Sequence, residues 1–259
     1  MTVGALVRLG LTTFRHRHLG PSDIAIVSYP KSGNTWIKFM LGDVLAGREG
    51  SFDSSEEVAP YIGSHTDAPR VLPGGGRLVK SHEPCRRPYG SRYHRAIYVV
   101  RDGRDVAVSY YFHALREARF DGEFSTFLEH FLSGSMDHYG PWHDHVRSWL
   151  EGPRSRPGAL HIVRYEDTLE NPARELRRLL SFVGACAPES TIAEVVDRYR
   201  FEKMRERELQ SRFHARQQRQ DILFMRKGEA GDWRNVFSSA DETRFLRVAG
   251  RALARAGYE

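Results

Sequence analysis

A short polar stretch, Lys-Ser-Gly-Asn-Thr at residues 31–35, has the residue types of an anion-binding loop. It follows the apolar, largely β-branched residues 24–28, which predict a buried strand, and a helical pattern begins near Trp36. Backbone N–H groups at the start of a helix bind phosphate-like groups, because the helix dipole adds positive potential there. Lys31 precedes Gly33, whereas the Walker A pattern places its lysine after the glycines. The stretch therefore predicts a phosphate-like ligand without being a Walker A loop.

Three more polar side chains stand at the ends of apolar, strand-like segments. They are His82, Arg101 and Tyr165. In parallel sheets the ligand binds beyond the carboxyl ends of the strands, so we expect these side chains to converge with Lys31 on one edge. His82 is the candidate proton acceptor of this group, because histidine titrates near neutral pH.

The elements that must position these side chains alternate between strand and helix patterns. We predict strands at residues 24–28, 77–81, 96–100 and 160–163. We predict helices at about residues 36–46, 55–61, 106–112, 124–132, 142–150, 172–183 and 188–199, and from 241 onward. This alternation is typical of a single α/β domain, residues 1–259, with a mostly parallel central sheet flanked by helices. Within it, residues 1–20 are expected to form an N-terminal arm and residues 203–222 a mobile lid.

The composition limits the classes of partner. Lys and Arg number 39 against 33 Asp and Glu, a net charge of +6, which suits an anionic ligand. The charge is not concentrated on one helix or tail, which disfavours the alternative of a nucleic-acid or polyanion-binding module. Two cysteines, Cys85 and Cys186, provide neither a disulfide framework nor metal-ligand spacing. With no apolar run of membrane-spanning length and no signal-peptide pattern, we expect a cytoplasmic protein. We also expect no metal, because the Asp and Glu residues are not clustered with the 31–35 loop.

Four segments, in this order along the chain, resemble the motifs of the cytosolic-type sulfotransferase family, which uses 3′-phosphoadenosine 5′-phosphosulfate (PAPS). Residues 29–36 are similar to its 5′-phosphosulfate loop, and residues 80–84 to its Lys-Thr-His-x-Pro catalytic segment. Residues 101–111 resemble its 3′-phosphate strand–loop–helix, and residues 226–237 its C-terminal signature. The resemblance implies a P-loop NTPase-like sulfotransferase fold, and we expect a bacterial, small-molecule member of the family.

The resemblance also implies residue roles. Lys31 would neutralise the leaving group, Lys80 would stabilise charge on the sulfonate, and His82 would accept the proton of the acceptor hydroxyl. Arg101 and Ser109 would bind the 3′-phosphate, with Arg226, Lys227 and Gly228 closing over it, and Ser109 would also restrain Lys31 until the acceptor arrives. Trp36 would pack on the adenine, helped by Phe201 and Tyr165. The residues implied to bind the donor are Lys31, Ser32, Gly33, Asn34, Thr35, Trp36, Arg101, Ser109, Tyr165, Phe201, Phe224, Arg226, Lys227 and Gly228.

The predicted function is metal-free, in-line transfer of a sulfuryl group from PAPS to the hydroxyl of a small molecule, leaving 3′,5′-adenosine bisphosphate (PAP). Aromatic residues outside the motifs favour an apolar or aromatic acceptor: Phe52, Tyr61, Phe112, Phe120, Phe124, Tyr139, Trp142 and Phe213. The alternative function is a P-loop-like small-molecule kinase using ATP. Glu83 is the alternative base, because some sulfotransferases use a glutamate.

This sequence departs from the family pattern at three places. Asn34 replaces the usual threonine but keeps its hydrogen-bonding capacity, and Tyr199 replaces a small hydroxyl residue that often contacts adenine. The family's dimer motif is altered at Arg234, Ser238, Ser239 and Thr243. The dimer is therefore not carried over, and the oligomeric state stays open.

Overall fold

The computed structural model describes residues 3–152 and 158–259. Its centre is a parallel four-stranded sheet in the order β2-β1-β3-β4. The strands are β1 (Ile24–Ser28), β2 (Leu78–Ser81), β3 (Arg95–Val100) and β4 (Leu160–Arg164). All four predicted strands and the parallel sheet are confirmed.

Eleven helices are assigned in the part of the chain that the structure describes. They are α1 (Val3–Arg15), α2 (Asn34–Ala46), α3 (Gly103–Arg116), α4 (Phe124–Ser133), α5 (Trp142–Leu150), α6 (Tyr165–Glu170), α7 (Pro172–Val183), α8 (Glu189–Arg198), α9 (Phe201–Leu209), α10 (Arg212–Ala215) and α11 (Ser239–Arg255). Short 3₁₀ helices cover Tyr89–Arg92 and Asp232–Asn235. Among these residues, no helix has the length and apolar character needed to cross a membrane.

Helices cover both faces of the sheet, so alternate residues of each central strand enter different cores. Ala25 and Val27 of β1 pack with α3, α4, α5 and α11, whereas Ile24 and Ile26 pack with α2, α7, α8 and α9. All five residues of β1 are buried, as a strand covered on both faces requires. The result is a three-layer α/β domain. The helices cover the two faces of the sheet but not the carboxyl ends of its strands.

Local sequence signals explain where several helices begin and end. In α7, the side chain of Asn171 accepts the N–H of Arg174, Pro172 occupies the first turn, and Gly184 ends the helix with a φ of 80°. The predicted bounds of α5 and α7 match the structure residue for residue. In α3, the Asp102 side chain caps the helix by accepting the N–H of Arg104.

Two expectations were wrong or incomplete. The helix predicted at residues 55–61 is a series of turns, because the chain there pairs with β2: Lys80 N donates to Pro60 O, and Ile62 N donates to Lys80 O. Helix α6 was not predicted. Residues 203–222 contain most of α9 and all of α10, with Met204 and Glu208 fully or nearly fully buried, and the mobility of this lid stays a prediction.

Asp105, in the first turn of α3, ties the C-terminal loop to the edge of the sheet. Its side-chain oxygens accept the backbone N–H groups of Gly231 at 2.7 Å and Trp233 at 2.9 Å. The Asp105 residue is 2% exposed, so water does not compete for these bonds. This clamp places the loop at residues 226–228 beside the N-terminus of α3.

We expect Asp105→Ala to lower the free energy of unfolding by about 2 kcal/mol or more, because it leaves two buried N–H groups without an acceptor. Urea unfolding followed by fluorescence measures the change. Asp121→Ala, which removes an exposed aspartate, is the matched control and should stay within about 0.5 kcal/mol of the wild type. Equal stability of the two variants would show that the clamp contributes nothing.

Candidate active site

A cavity of about 390 Å³ lies at the carboxyl ends of the strands. The strand register explains the convergence: Val27 pairs with Ser81, Ser28 with Val99, and Val100 with Arg164, so the residues that follow each strand share one edge. The cavity wall contains every catalytic and donor-binding residue named from the sequence except Ser32. Ser32 is 1% exposed and lies beneath the loop, where its N–H donates to Tyr29 O.

The loop at residues 29–35 depends on a glycine. Gly33 has a φ of 99°, and a Cβ built on it would lie 2.6 Å from Cδ2 of Tyr165. Only glycine accepts both conditions. Asn34 fastens the loop to β1, since its Nδ2 donates to Ile26 O at 3.2 Å and to Ser28 Oγ at 3.3 Å. The residue that departs from the family pattern therefore keeps a structural role.

The ammonium of Lys31 lies over the ring of Phe224, with Nζ 3.6 Å from the ring centre. Burial, and after it the charge of Arg116, holds the pKa of Lys31 well below its usual range. Within the described residues no hydrogen bond joins Lys31 to Ser109, so the predicted restraint is not observed. The electron-rich ring face takes the cation instead.

His82 is held in one tautomer. Its Nδ1 lies 2.7 Å from the carbonyl oxygen of Ser28, which can only accept, so Nδ1 carries the proton and Nε2 is the acceptor. Burial first, and then the charge of Lys80, keeps the pKa of His82 well below its usual range. The ring is therefore neutral at neutral pH, as a base must be.

Lys80 and Glu83 flank His82 but differ in access to the cavity. Lys80 lines it, its Nζ lies 4.2 Å from the ring centre of Tyr61, and burial lowers its pKa to about 8. Glu83 is 4% exposed, lies 3.7 Å from Arg15, and is not one of the cavity residues. Glu83 does not line the cavity, although its Oε1 lies 3.8 Å from Nε2 of His138, which does. His82, which lines the cavity directly, stays the first candidate base.

Arg101 is prepared for an anion. Its Nη2 donates to Glu229 O at 2.9 Å, and its guanidinium lies 4.2 Å from the ring centre of Tyr165. Its Nε is buried and makes no hydrogen bond to the described residues. A buried donor without a partner is unfavourable, so this nitrogen suits an oxyanion arriving at the cavity. Ser109 lines the same cavity.

Arg226 and Lys227 also line the cavity, but both pair with the carboxylate of Asp232. Burial alone would raise the pKa of Asp232, yet hydrogen bonds from Lys227 and Arg226 lower it to about 2. The expectation that these two cations close over a phosphate is therefore not observed in this state. Asp232 holds them because it is the nearest anion.

A second cavity of about 260 Å³ adjoins the first and is lined mainly by aromatic and aliphatic side chains. Trp36, Tyr165 and Phe201 line it, as expected for a base-binding site, together with Gly228. Gly228 has a φ of 69°, and any Cβ there would overlap the Phe201 ring. Tyr199 contributes its carbonyl, which accepts the Trp36 Nε1–H at 2.9 Å, while its hydroxyl accepts the N–H of Gly50.

The far end of the cavity holds residues that the sequence motifs missed. They are His113, Arg119, Asp137 and His138. Tyr110 of the 101–111 motif joins them, as do two of the aromatic residues expected near an acceptor, Tyr61 and Tyr139. His113 was recoverable, because it follows Ser109 by four residues and so shares its helix face. No comparable spacing in the sequence indicates that the 137–139 loop lines the cavity. Among the described residues, no group of three His, Cys, Asp or Glu side chains is arranged to hold a metal ion.

Comparisons with known proteins agree with this geometry. The sulfotransferase domain family matches residues 21–257. Sulfotransferase 1A1 of Mus musculus is 33% identical over 244 residues, covering 87% of this chain and 82% of that protein. Sulfotransferase 1A1 of Bos taurus is 32% identical over 255 residues, covering 90% and 84%.

Two solved structures share the fold. Retinol dehydratase in complex with androsterone and the inactive cofactor PAP superposes with a TM-score of 0.77 at 20% identity, covering 95% of this chain and 85% of that one. A mouse sulfotransferase complexed with PAP gives 0.68 at 22% identity, covering 93% and 90%. Since the family match covers most of its length, this chain belongs to the sulfotransferase family of enzymes.

Proposed function

We propose that this enzyme transfers a sulfuryl group from PAPS to the hydroxyl of a small apolar or aromatic molecule, leaving PAP. The observation that carries the proposal is the 2.7 Å contact between His82 Nδ1 and Ser28 O, from which we infer that Nδ1 carries the proton. The acceptor nitrogen of this cavity-lining ring is thereby available to a substrate hydroxyl. The earlier kinase alternative loses its basis, because the chain is a member of the sulfotransferase family.

The residues present fit the proposed donor. The 31–35 loop and Arg101 would bind the anionic groups of PAPS. The Nε of Arg101 has no partner among the described residues. The adenine of PAPS matches the second cavity, lined by Trp36, Tyr165 and Phe201. PAPS would supply an activated sulfuryl group, and the binding energy of its distant 3′-phosphate would serve orientation.

Each catalytic side chain then has one task. His82 takes the proton of the acceptor hydroxyl at Nε2. Lys31 supplies positive charge where the leaving oxygen develops negative charge, and Lys80 does so at the transferred group. Both lysines sit in a poorly solvated wall, where electrostatic stabilisation is stronger than in water. No metal is required by this arrangement, and the metal-free reaction stays a prediction.

We expect His82→Ala to lower kcat by about 10²–10⁴-fold, because the hydroxyl loses its base. Transfer of labelled sulfate from PAPS to a phenol or alcohol measures this, and PAP affinity serves as a check on folding. His130→Ala removes an exposed histidine outside the cavity and is the matched control. Normal turnover by the His82 variant would exclude this ring as the base.

Arg101→Ala should weaken PAP binding about 10–100-fold, since it removes a charge-assisted contact to the 3′-phosphate. The same variant should bind 5′-AMP, which lacks that phosphate, about as well as the wild type does. Thermal shift and calorimetry give both affinities. Equal loss for the two nucleotides would contradict the assignment of Arg101, and absence of PAP binding by the wild type would contradict the proposed function.

The pH profile should reflect a neutral His82 and a charged Lys80. His82 remains unprotonated down to well below pH 6.5, so its low pKa puts no acid limb near neutrality. Lys80 must be protonated, and its pKa of about 8 makes kcat/KM fall as the pH rises above that value. An aliphatic alcohol avoids ionisation of the acceptor itself. Lys80→Arg, whose guanidinium does not deprotonate, should move the alkaline fall away from about pH 8. Lys31 must be protonated as well, and burial also lowers its pKa, so a fall at unchanged pH in the variant would assign it to Lys31 or another group.

A further inference from the structure

Arg116, the last residue of α3, is a fully buried guanidinium that has no hydrogen bond. The residue is 0% exposed, and Nε, Nη1 and Nη2 are all buried without a partner in the part of the chain that the structure describes. A buried charge with no acceptor for its N–H groups is strongly unfavourable. Stability of the fold therefore does not explain why an arginine stands at this position.

The surroundings of Arg116 do not neutralise it. Its guanidinium lies 4.6 Å from the ring centre of Phe213 and 5.6 Å from that of Phe224, and these contacts compensate only part of the lost hydration. Glu208 and Glu117 are the acidic groups that act on it most strongly. Neither lies within ion-pairing distance of Arg116.

Both carboxylates are committed elsewhere. The two oxygens of Glu208 accept the backbone N–H groups of Phe224 and Met225. Glu117 pairs with Arg119 and lies 3.3 Å from His113. Arg116 is therefore left as a positive charge with five unused N–H donors.

Arg116 lies behind the wall of the cavity, next to the Phe224 ring that lines it. The ring of Phe224, which lines the cavity, faces Arg116 and also Lys31, whose Nζ is 3.6 Å from the ring centre. His113, one turn earlier on α3, lines the cavity as well. Arg116 follows Ser109 by seven residues, which places it about 10 Å along the helix from the end that meets the donor.

We propose that Arg116 binds an anionic group of the acceptor, so that the substrate is a hydroxyl compound carrying a carboxylate or a similar oxyanion. This inference rests on the proposed function and narrows its acceptor class. The donor's anions already have candidate partners in Lys31, Arg101 and the 31–35 loop, whereas Arg116 has none. Rotation of the Phe213 and Phe224 rings would open the guanidinium to the cavity.

The local electrostatics support an anion at this end. Burial, and then the charges of Lys31 and Arg116, hold the pKa of His113 far below its usual range, so this ring stays neutral. The groups facing this region are the cations of Lys31, Arg116 and Arg119 and the carboxylates of Glu117, Glu208 and Asp137. Each carboxylate is bonded elsewhere, Asp137 by the Tyr110 hydroxyl. An oxyanion would complete this set.

The test compares two phenols of similar shape, anionic 4-hydroxyphenylacetate and neutral 4-ethylphenol. We expect Arg116→Met to lower the ratio of their kcat/KM values, anionic over neutral, by about 10–100-fold, as expected for loss of a charge-assisted hydrogen bond. Arg116→Lys should recover part of the ratio. Arg216→Met, which removes an exposed arginine outside the cavity, should keep the wild-type ratio.

Two further measurements separate this inference from the proposed function. Without ligand, Arg116→Met should melt at or above the wild-type temperature, because a buried charge is removed. Calorimetric titration of 4-hydroxyphenylacetate into the PAP complex measures binding of the anion. No turnover occurs, because PAP has no sulfuryl group to transfer. An equal loss for both phenols, or no binding of the anion by the wild type, would overturn the role of Arg116. Failure of PAP itself to bind would overturn the proposed function instead.

Discussion

Positive charge concentrated at one edge of the sheet is the constraint on which the rest of the site depends. Five cations at or behind the cavity wall each lie over an aromatic ring: Lys31 over Phe224 at 3.6 Å, Lys80 over Tyr61 at 4.2 Å, Arg101 over Tyr165 at 4.2 Å, Arg226 over Phe112 at 4.4 Å and Arg116 over Phe213 at 4.6 Å. An aromatic face attracts a cation without adding a negative charge. The site can therefore assemble its cations and still present them to an anionic ligand.

The acidic residues near the site bond mainly to groups other than these cations. Asp105 and Glu208 use their carboxylates mainly on backbone N–H groups and so position loops, although Asp105 also lies 3.9 Å from Nη2 of Arg101. The rings in turn need space close to the main chain, which is why Gly33 meets Tyr165 and Gly228 meets Phe201 without a Cβ between them. The glycines, the rings and the cations thus form one packing unit built from segments far apart in sequence.

The sequence predicts the donor half of this unit better than the acceptor half, for a physical reason. Strands and helix termini are local patterns, so β1, β3 and the polar residues after them could be placed in advance, as could α7 with its proline and glycine boundaries. The Phe224 ring meets Lys31 only through the tertiary fold, and no local pattern encodes that contact. Glu208 lies in a highly charged stretch whose composition predicts exposure to solvent, yet it is fully buried.

Asp232 is the exception among the carboxylates, because it pairs with the two cations expected at the 3′-phosphate. For the proposed reaction Arg226 and Lys227 must exchange this partner for the donor. Asn235 Nδ2 also donates to Asp232 at 3.0 Å and keeps one hydrogen bond to the carboxylate when the cations leave, so the exchange has a cost that donor binding must exceed. A phosphate carries more charge than one carboxylate, so it competes favourably for both cations. In the proposed reaction Asp232 would hold the loop in place before the donor binds and release the two cations to the donor afterwards.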